Sequence, residues 1–386
     1  MIFGYENEKL AALGATNTAG EIYQQPETWE KTLAVVEASK KEIETFLRNH
    51  LTPHTRVVLT GAGTSAYTGD VARFRLAEIL PCRVESIPTT DIVANPAAIL
   101  ESDTPTILVS FARSGNSPES VGAFDIMQKN TKNLVHLVIT CDVNGKLAQT
   151  AKKNADNLVI VLPEETNDKG FAMTSSFSCM LLAALLIFDI GRLETTREYV
   201  RTLAEQGRNI LQNHWQWAHQ LADLHCRRIV YLGAGCFQEL GKELSLKNME
   251  LTNGKIVSVK ESILGFRHGP KTIVNDQTLV LLMDSSDAYT NLYVRDMAAE
   301  LFHDPGEHKV AILDCVNDIS VKQNSNFSIS VDGTKLPETY TCLLYALYGQ
   351  MLGLFNSIAV GNTPDNPNPQ GVVNRVVKGV TIHEFR

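Results

Sequence analysis

Residues 265–270 read GFRHGP and set His268 between an arginine and a Gly-Pro turn. Eighteen residues before that histidine, the segment ELSLKNMEL carries Glu250, with Lys247 three positions earlier. Three apart on a helix, two side chains share a face. Histidine titrates near neutral pH, and a glutamate can be tuned to carry a proton. Such a set can open a sugar ring and move a proton between C1 and C2. Taken alone, Glu250 also reads as a solvated helix face, His268 as a turn histidine and Lys247 as a supporting charge.

Two serine-rich turns precede this set. The first lies in RVVLTGAGTSAYTGD (56–70), the second in TILVSFARSGNSPES (106–120). Each begins with an apolar, β-branched run that predicts a buried parallel strand. Each then passes through small residues and hydroxyls into a helical pattern. A strand, a small-residue turn and a helix N-terminus make an anion site, because backbone N–H groups and the helix dipole both favour negative charge. Ser65, Ser114 and Ser117 add hydroxyl donors. Neither turn continues as G-K-[ST], and GAGTSA stops short of a dinucleotide fingerprint. The expectation is a phosphomonoester pocket without a nucleotide.

The elements that position these residues come in two copies. RVVLTGAG at 56 recurs as RIVYLGAG at 228, and TILVSFARS at 106 recurs as TLVLLMDSS at 278; both offsets are 172. NLVIVLP near 157 finds a weaker echo in FSISVDG near 327. The repeat implies a duplicated α/β unit, each copy a parallel sheet flanked by helices, doubly wound and flavodoxin-like. The copies diverge where chemistry would sit: GTSAY becomes GCFQE, and ARSGNSPES becomes MDSSDAYTN. The expected organisation is a helical segment at 1–50, one domain at 51–200, a second at 201–360, and a tail at 361–386. Residues 19–49 read as helical, with Pro26 near a helix start, and so do 196–224. The tail begins GNTPDNPNPQGVVNR and reads as an extended, docked loop.

With 386 residues and a net charge of −8, the chain fits a two-domain globular protein, and nucleic acid is not the expected partner. No apolar run is expected to span a membrane; the richest, CMLLAALLIF (179–188), fits a buried helix. The first residues lack a signal-peptide pattern. Seven cysteines form no CxxC pair, which points to a reducing, cytoplasmic setting. HDPGEH (303–308) reads as a solvated loop, and His214, His219 and His225 share no helical face. No metal and no cofactor are expected, since enediol-type proton transfer needs only a base, an acid and charge stabilisation.

At these residues the chain resembles the sugar isomerase (SIS) proteins with two tandem SIS domains. EIYQQPETWEKTL (21–33) is similar to the opening of the isomerase half of glucosamine-6-phosphate synthase. GAGTSAY and SFARSGNSPES resemble that family's sugar-phosphate loops, SLKNMEL and GFRHGP its catalytic helix and histidine loop, and NRVVKGVTIH its C-terminal lysine segment. Within the family the chain is similar to the AgaS type, the galactosamine-6-phosphate deaminases also called tagatose-6-phosphate ketose/aldose isomerases. The strings GFAMTSS, GFRHGPK, GNTPD and NRVVKGV carry that likeness.

The resemblance implies roles. Glu250 matches the base between C1 and C2, and His268 the ring-opening histidine, contributed across a dimer interface. Lys378 matches a lysine near the open-chain carbonyl, and Lys247 a lysine on the glutamate's helix. Gly63, Thr64, Ser65, Arg113, Ser114, Asn116, Ser117 and Ser175 are the implied sugar-phosphate contacts. Ala112 and Arg113 depart from the synthase, which has serine and glutamine there; a guanidinium can replace the lost hydroxyl with a charged donor. No glutaminase domain with its cysteine nucleophile precedes residue 21, which favours the ammonia-releasing direction. The implied activity is conversion of galactosamine 6-phosphate to tagatose 6-phosphate and ammonia by a homodimer with shared sites. The alternatives are a non-deaminating aldose–ketose isomerase and a non-catalytic sugar-phosphate sensor.

Overall fold

The structure, a computed structural model, describes residues 1–377 and 379–385. The chain divides into two compact units that interleave in sequence. One comprises Glu27–Asp168, Met173–Arg201 and Gln370–Arg386; the other comprises Met1–Pro26, Lys169–Ala172 and Thr202–Pro369.

The first of these holds a five-stranded parallel sheet of β1 (Arg56–Thr60), β2 (Arg83–Ser86), β3 (Thr106–Ala112), β4 (Leu134–Thr140) and β5 (Leu158–Val161), in the order β2-β1-β3-β4-β5. β1 and β3 are buried along their whole length, which is why RVVLT and TILVSFA are so nearly continuous in apolar and β-branched residues. The strand order reverses between β1 and β3. Chain connections diverge at such a point and leave a crevice at the carboxyl ends of the strands. Both serine-rich turns leave the sheet there.

The other unit repeats the plan with β6 (Arg228–Gly233), β7 (Val257–Ser262), β8 (Thr278–Met283), β9 (Lys309–Asp314) and β10 (Phe327–Ser330), ordered β10-β9-β8-β6-β7. Register repeats as well: Arg56 pairs with Thr106, and Arg228 with Thr278. The turn after the first strand is the same in both copies. Gly63 sits at φ 57°, ψ −128° and Gly235 at φ 56°, ψ −128°, where a side chain would be strained. The 172-residue repeat read from the sequence is therefore a repeat of structure.

The helices follow the apolar pattern. All of Ser175–Phe188 is buried, as the apolar run at 179–188 predicts for its greater part. Residues 16–50 form Thr16–Tyr23, Gln25–Ala38 and Lys40–His50, with Pro26 in the first turn of the second. The region expected as one helix at 196–224 is Leu193–Asn209 and Trp215–Ala222, joined through a π-helical turn at Ile210–His214.

Two expectations need correction. Glu338–Ala359 is long and apolar enough to cross a membrane, contrary to the reading that no run was. Its scattered Thr, Tyr, Gly and Gln residues hid it, and 89% of its most apolar window is buried inside the fold. It packs on the helix Cys236–Thr252 so closely that a Cβ at Gly349 would lie 2.4 Å from Leu244. HDPGEH is not wholly solvated: His308 is buried, with Nε2 2.7 Å from the Leu301 carbonyl.

Among the described residues, the tail from 361 forms neither helix nor strand, and its first part is docked. The Asp365 carboxylate accepts from Asn17 N (2.9 Å), Thr18 N (2.7 Å) and Thr18 Oγ1 (2.8 Å), satisfying first-turn donors of the helix Thr16–Tyr23.

Candidate active site

In the unit built on β1–β5, the two serine turns enclose a pocket of about 110 Å³. Ser65, Arg113, Ser114 and Ser117 line it, together with Met173 and Arg375. Ser65 lies in the first turn of the helix Thr64–Ile79. Its hydroxyl has no hydrogen-bond partner among the described residues. Ser117 caps the helix Pro118–Asn130: its Oγ donates to Ser120 Oγ (2.7 Å) and accepts from Ser120 N (3.4 Å). Ser114 Oγ accepts from Asn116 N at 3.3 Å. Helix N-termini, hydroxyls and a guanidinium thus face one small space, the donor set a phosphate requires. Arg113 is held by its own neighbour: its Nη2 donates to the Arg375 carbonyl at 2.8 Å.

Other implied contacts stand beside this pocket and do not line it. Gly63 and Thr64 form the turn itself. The Asn116 side chain accepts from Lys146 N at 3.1 Å and so fixes the start of the helix Lys146–Ala151. Ser175 is fully buried, and its N–H donates to Asp168 Oδ1 at 3.2 Å. Asp168 also accepts from Thr174 N (2.8 Å), Ser176 N (2.9 Å) and Ser176 Oγ (2.6 Å), placing its carboxylate where that helix N-terminus would receive an anion.

In the unit built on β6–β10, the helix Cys236–Thr252 places Lys247 and Glu250 together as their spacing requires. Lys247 Nζ lies 2.5 Å from Glu250 Oε2 and 3.6 Å from Glu243 Oε1. Lys247 and Glu243 are buried, whereas the Glu250 side chain keeps 23% of its surface exposed. Asn248 anchors the same helix: its Nδ2 donates to Ser258 Oγ (2.6 Å), and its Oδ1 accepts from Asn356 Nδ2 (2.8 Å). A rigid, half-open carboxylate beside an ammonium can accept and return a proton. His268 is exposed at the end of the short turn Gly265–Arg267, whose neighbour Gly269 has φ 118°. No hydrogen bond or ion pair joins His268 to Glu250 or Lys247 among the described residues. Lys378 lies outside the described residues. Among the described residues, no group of three or more His, Cys, Asp or Glu is placed to hold a metal ion.

A family model described as "SIS domain" matches residues 50–189. A Shewanella protein named D-galactosamine-6-phosphate deaminase AgaS is 39% identical over 382 residues, covering 98% of this chain and 94% of the relative. An Escherichia coli protein of the same name is 36% identical over 378 residues, covering 97% and 98%. The chain belongs to the AgaS family of SIS-domain proteins. The crystal structure of tagatose-6-phosphate ketose/aldose isomerase from Escherichia coli superposes with a TM-score of 0.88 at 34% identity, covering 99% of this chain and 100% of that one.

One residue lining this pocket is not among those the sequence pointed to. Arg375 stands in the NRVVKGV string that was read only for its lysine. Its guanidinium donates to the Asp168 carbonyl and, at 3.4 Å, to Asn167 Oδ1, which locks the tail against the pocket wall. Nothing in a sequence without partners joins positions 262 apart; the surplus of charge in an otherwise apolar string was the available signal.

Proposed function

We propose that this protein is a galactosamine-6-phosphate deaminase/isomerase that yields tagatose 6-phosphate and ammonia. The observation that carries the reading is the near-full-length identity of 36–39% to proteins bearing the deaminase name. The pocket of serines and Arg113 supports a phosphorylated substrate. In this reading Ser65, Arg113, Ser114 and Ser117 hold the 6-phosphate, with Gly63, Thr64, Asn116 and Ser175 shaping the loops. His268 protonates the ring oxygen and opens the ring. Glu250, oriented by Lys247, takes the C2 proton and returns it to C1 through an enolamine. Water adds to the resulting C2 imine, the C–N bond breaks, and ammonia leaves. Lys378 attends the carbonyl end. The exposed imidazole of His268 suits completion of the site by a second copy, so the working form is a homodimer in the cytoplasm.

The second reading is plain ketose–aldose isomerisation, favoured by the name of the Escherichia coli structure. Incubation with galactosamine 6-phosphate should release one ammonia per ketose phosphate formed. Rapid turnover of neutral sugar phosphates with no ammonia from the amino sugar would replace the first reading by the second.

A further inference from the structure

The second copy keeps a serine turn after the strand equivalent to β3, and fills it with its own carboxylate. Register equates Ser114 with Ser286 and Arg113 with Ser285, each 172 residues on. Ser285 Oγ (2.5 Å), Ser286 N (2.8 Å) and Ser286 Oγ (3.3 Å) all donate to one atom, Glu338 Oε1. Glu338 is the first residue of the helix that follows β10, and the first copy has Ser175 at that place, the first residue of the helix that follows β5. The other wall has changed as well. At the position of Ser65 stands Phe237, fully buried with its ring centroid 5.1 Å from that of Tyr345.

We propose that Ser285 and Ser286 form a second oxyanion site, specific for a phosphate-like group, that Glu338 keeps closed as an internal anion. Converging N–H and O–H donors on one oxygen suit a phosphate oxygen as well as a carboxylate, and the Ser285 hydroxyl among them is buried, where a donor left unfilled is costly. A half-buried glutamate tethered on a helix meets that demand at a high effective concentration. Asp287 caps the next helix through Thr290 N and Oγ1 at 2.8 Å, so its charge opposes an incoming anion without competing for the donors that hold Glu338. The wild-type chain therefore has one open phosphate site, and the second appears when the tethered carboxylate is withdrawn.

The inference rests on the phosphate reading of the first pocket, and equilibrium dialysis with inorganic phosphate separates the two. Wild type should bind one equivalent per chain and Glu338→Ser two. Adding Ser286→Ala to Glu338→Ser should return the count to one. Glu338→Gln should stay at one, since its amide oxygen still accepts from both serines. If Glu338→Ser gains no equivalent over wild type, the closed-site proposal is wrong. If wild type binds none, the first pocket is misread, and the gain on Glu338→Ser still decides the second. Should Glu338→Ser fail to fold, Glu338→Asp withdraws the carboxylate by one methylene and is expected to gain a weaker equivalent; no gain there overturns the proposal.

Discussion

Replacing Lys247 with methionine keeps the apolar stem and deletes one charge. The ammonium lies 3.6 Å from Glu243, which is wholly buried, and 2.5 Å from Glu250, which retains 23% exposure. Removing one member of a buried ion pair costs about 3–5 kcal/mol, because the remaining carboxylate keeps its burial and loses its cation. Most of that cost falls on Glu243, since Glu250 can turn to water. Against a total stability of about 5–15 kcal/mol the loss is large. At an m-value of about 2 kcal/mol/M it lowers the urea midpoint of this unit by about 2 M. Adding Glu243→Gln should recover most of it, because the charge whose burial is costly is then gone. The assay is urea denaturation of wild type, Lys247→Met and the double variant, with turnover measured on the folded proteins. Turnover should stay low in the double variant, since Glu250 still lacks its orienting ammonium. A Lys247→Met midpoint within about 0.3 M of wild type would refute the reasoning.

Glu250→Gln should lower kcat by about 10²–10⁴-fold with little change in substrate binding; co-refolding it with His268→Ala chains should restore part of the activity, and inactive heterodimers would confine each site to one chain. Ser65→Ala and Ser114→Ala each delete a donor to a dianion contributing about 1.5–3 kcal/mol, so KM should rise about 10- to 150-fold; unchanged KM in both would remove the phosphate from that pocket. Burial, followed by the charge of Asp314, pushes Asp284 up to about 7. The folded state then holds that proton more tightly than the unfolded chain, so stability falls as pH rises from about 4 to about 7 and stays lowered above. Asp284→Asn should therefore be the more stable protein at pH 8 and gain little at pH 4. Equal urea midpoints at pH 8 would sink this reading.

The fold was legible because the strands advertise themselves. RVVLT, TILVSFA and their echoes are buried on both faces, and only a continuous apolar run satisfies that environment. The repeat added topology, since equal offsets at β1/β6 and β3/β8 force the same strand order twice. The 22-residue helix Glu338–Ala359 was less legible. A core helix in contact with another helix on every turn tolerates Thr, Gly and Gln, because close packing and hydrogen bonds satisfy them. At the pocket, the serines could be read from the turn chemistry. Arg375 could not, because it arrives by a tail whose docking depends on the Asp168 and Arg113 contacts.

Spacing alone also leaves the Lys247–Glu250 pair undecided, and the first copy shows why. One repeat earlier, Arg75 and Glu78 occupy the equivalent helix positions and form the same i,i+3 bridge at 2.7 Å. There the glutamate is 66% exposed, and the arginine also approaches Asp189 at 3.5 Å. Arg75 is itself buried, at 8% exposure, but its glutamate lies open to water, which screens their attraction. In the second copy the cation is sunk between two carboxylates, and the glutamate keeps only a narrow opening to solvent. Val71 stands one repeat before Glu243, so the buried carboxylate beside the cation comes from the same helix in the second copy and from Asp189 in the first. The serine turns diverge in the opposite sense, open at Ser65 and closed at Phe237 and Glu338. Duplication supplied two equal frames, and burial at a few positions in each set them apart: an open serine-lined pocket in one copy, a half-open glutamate beside a buried lysine in the other.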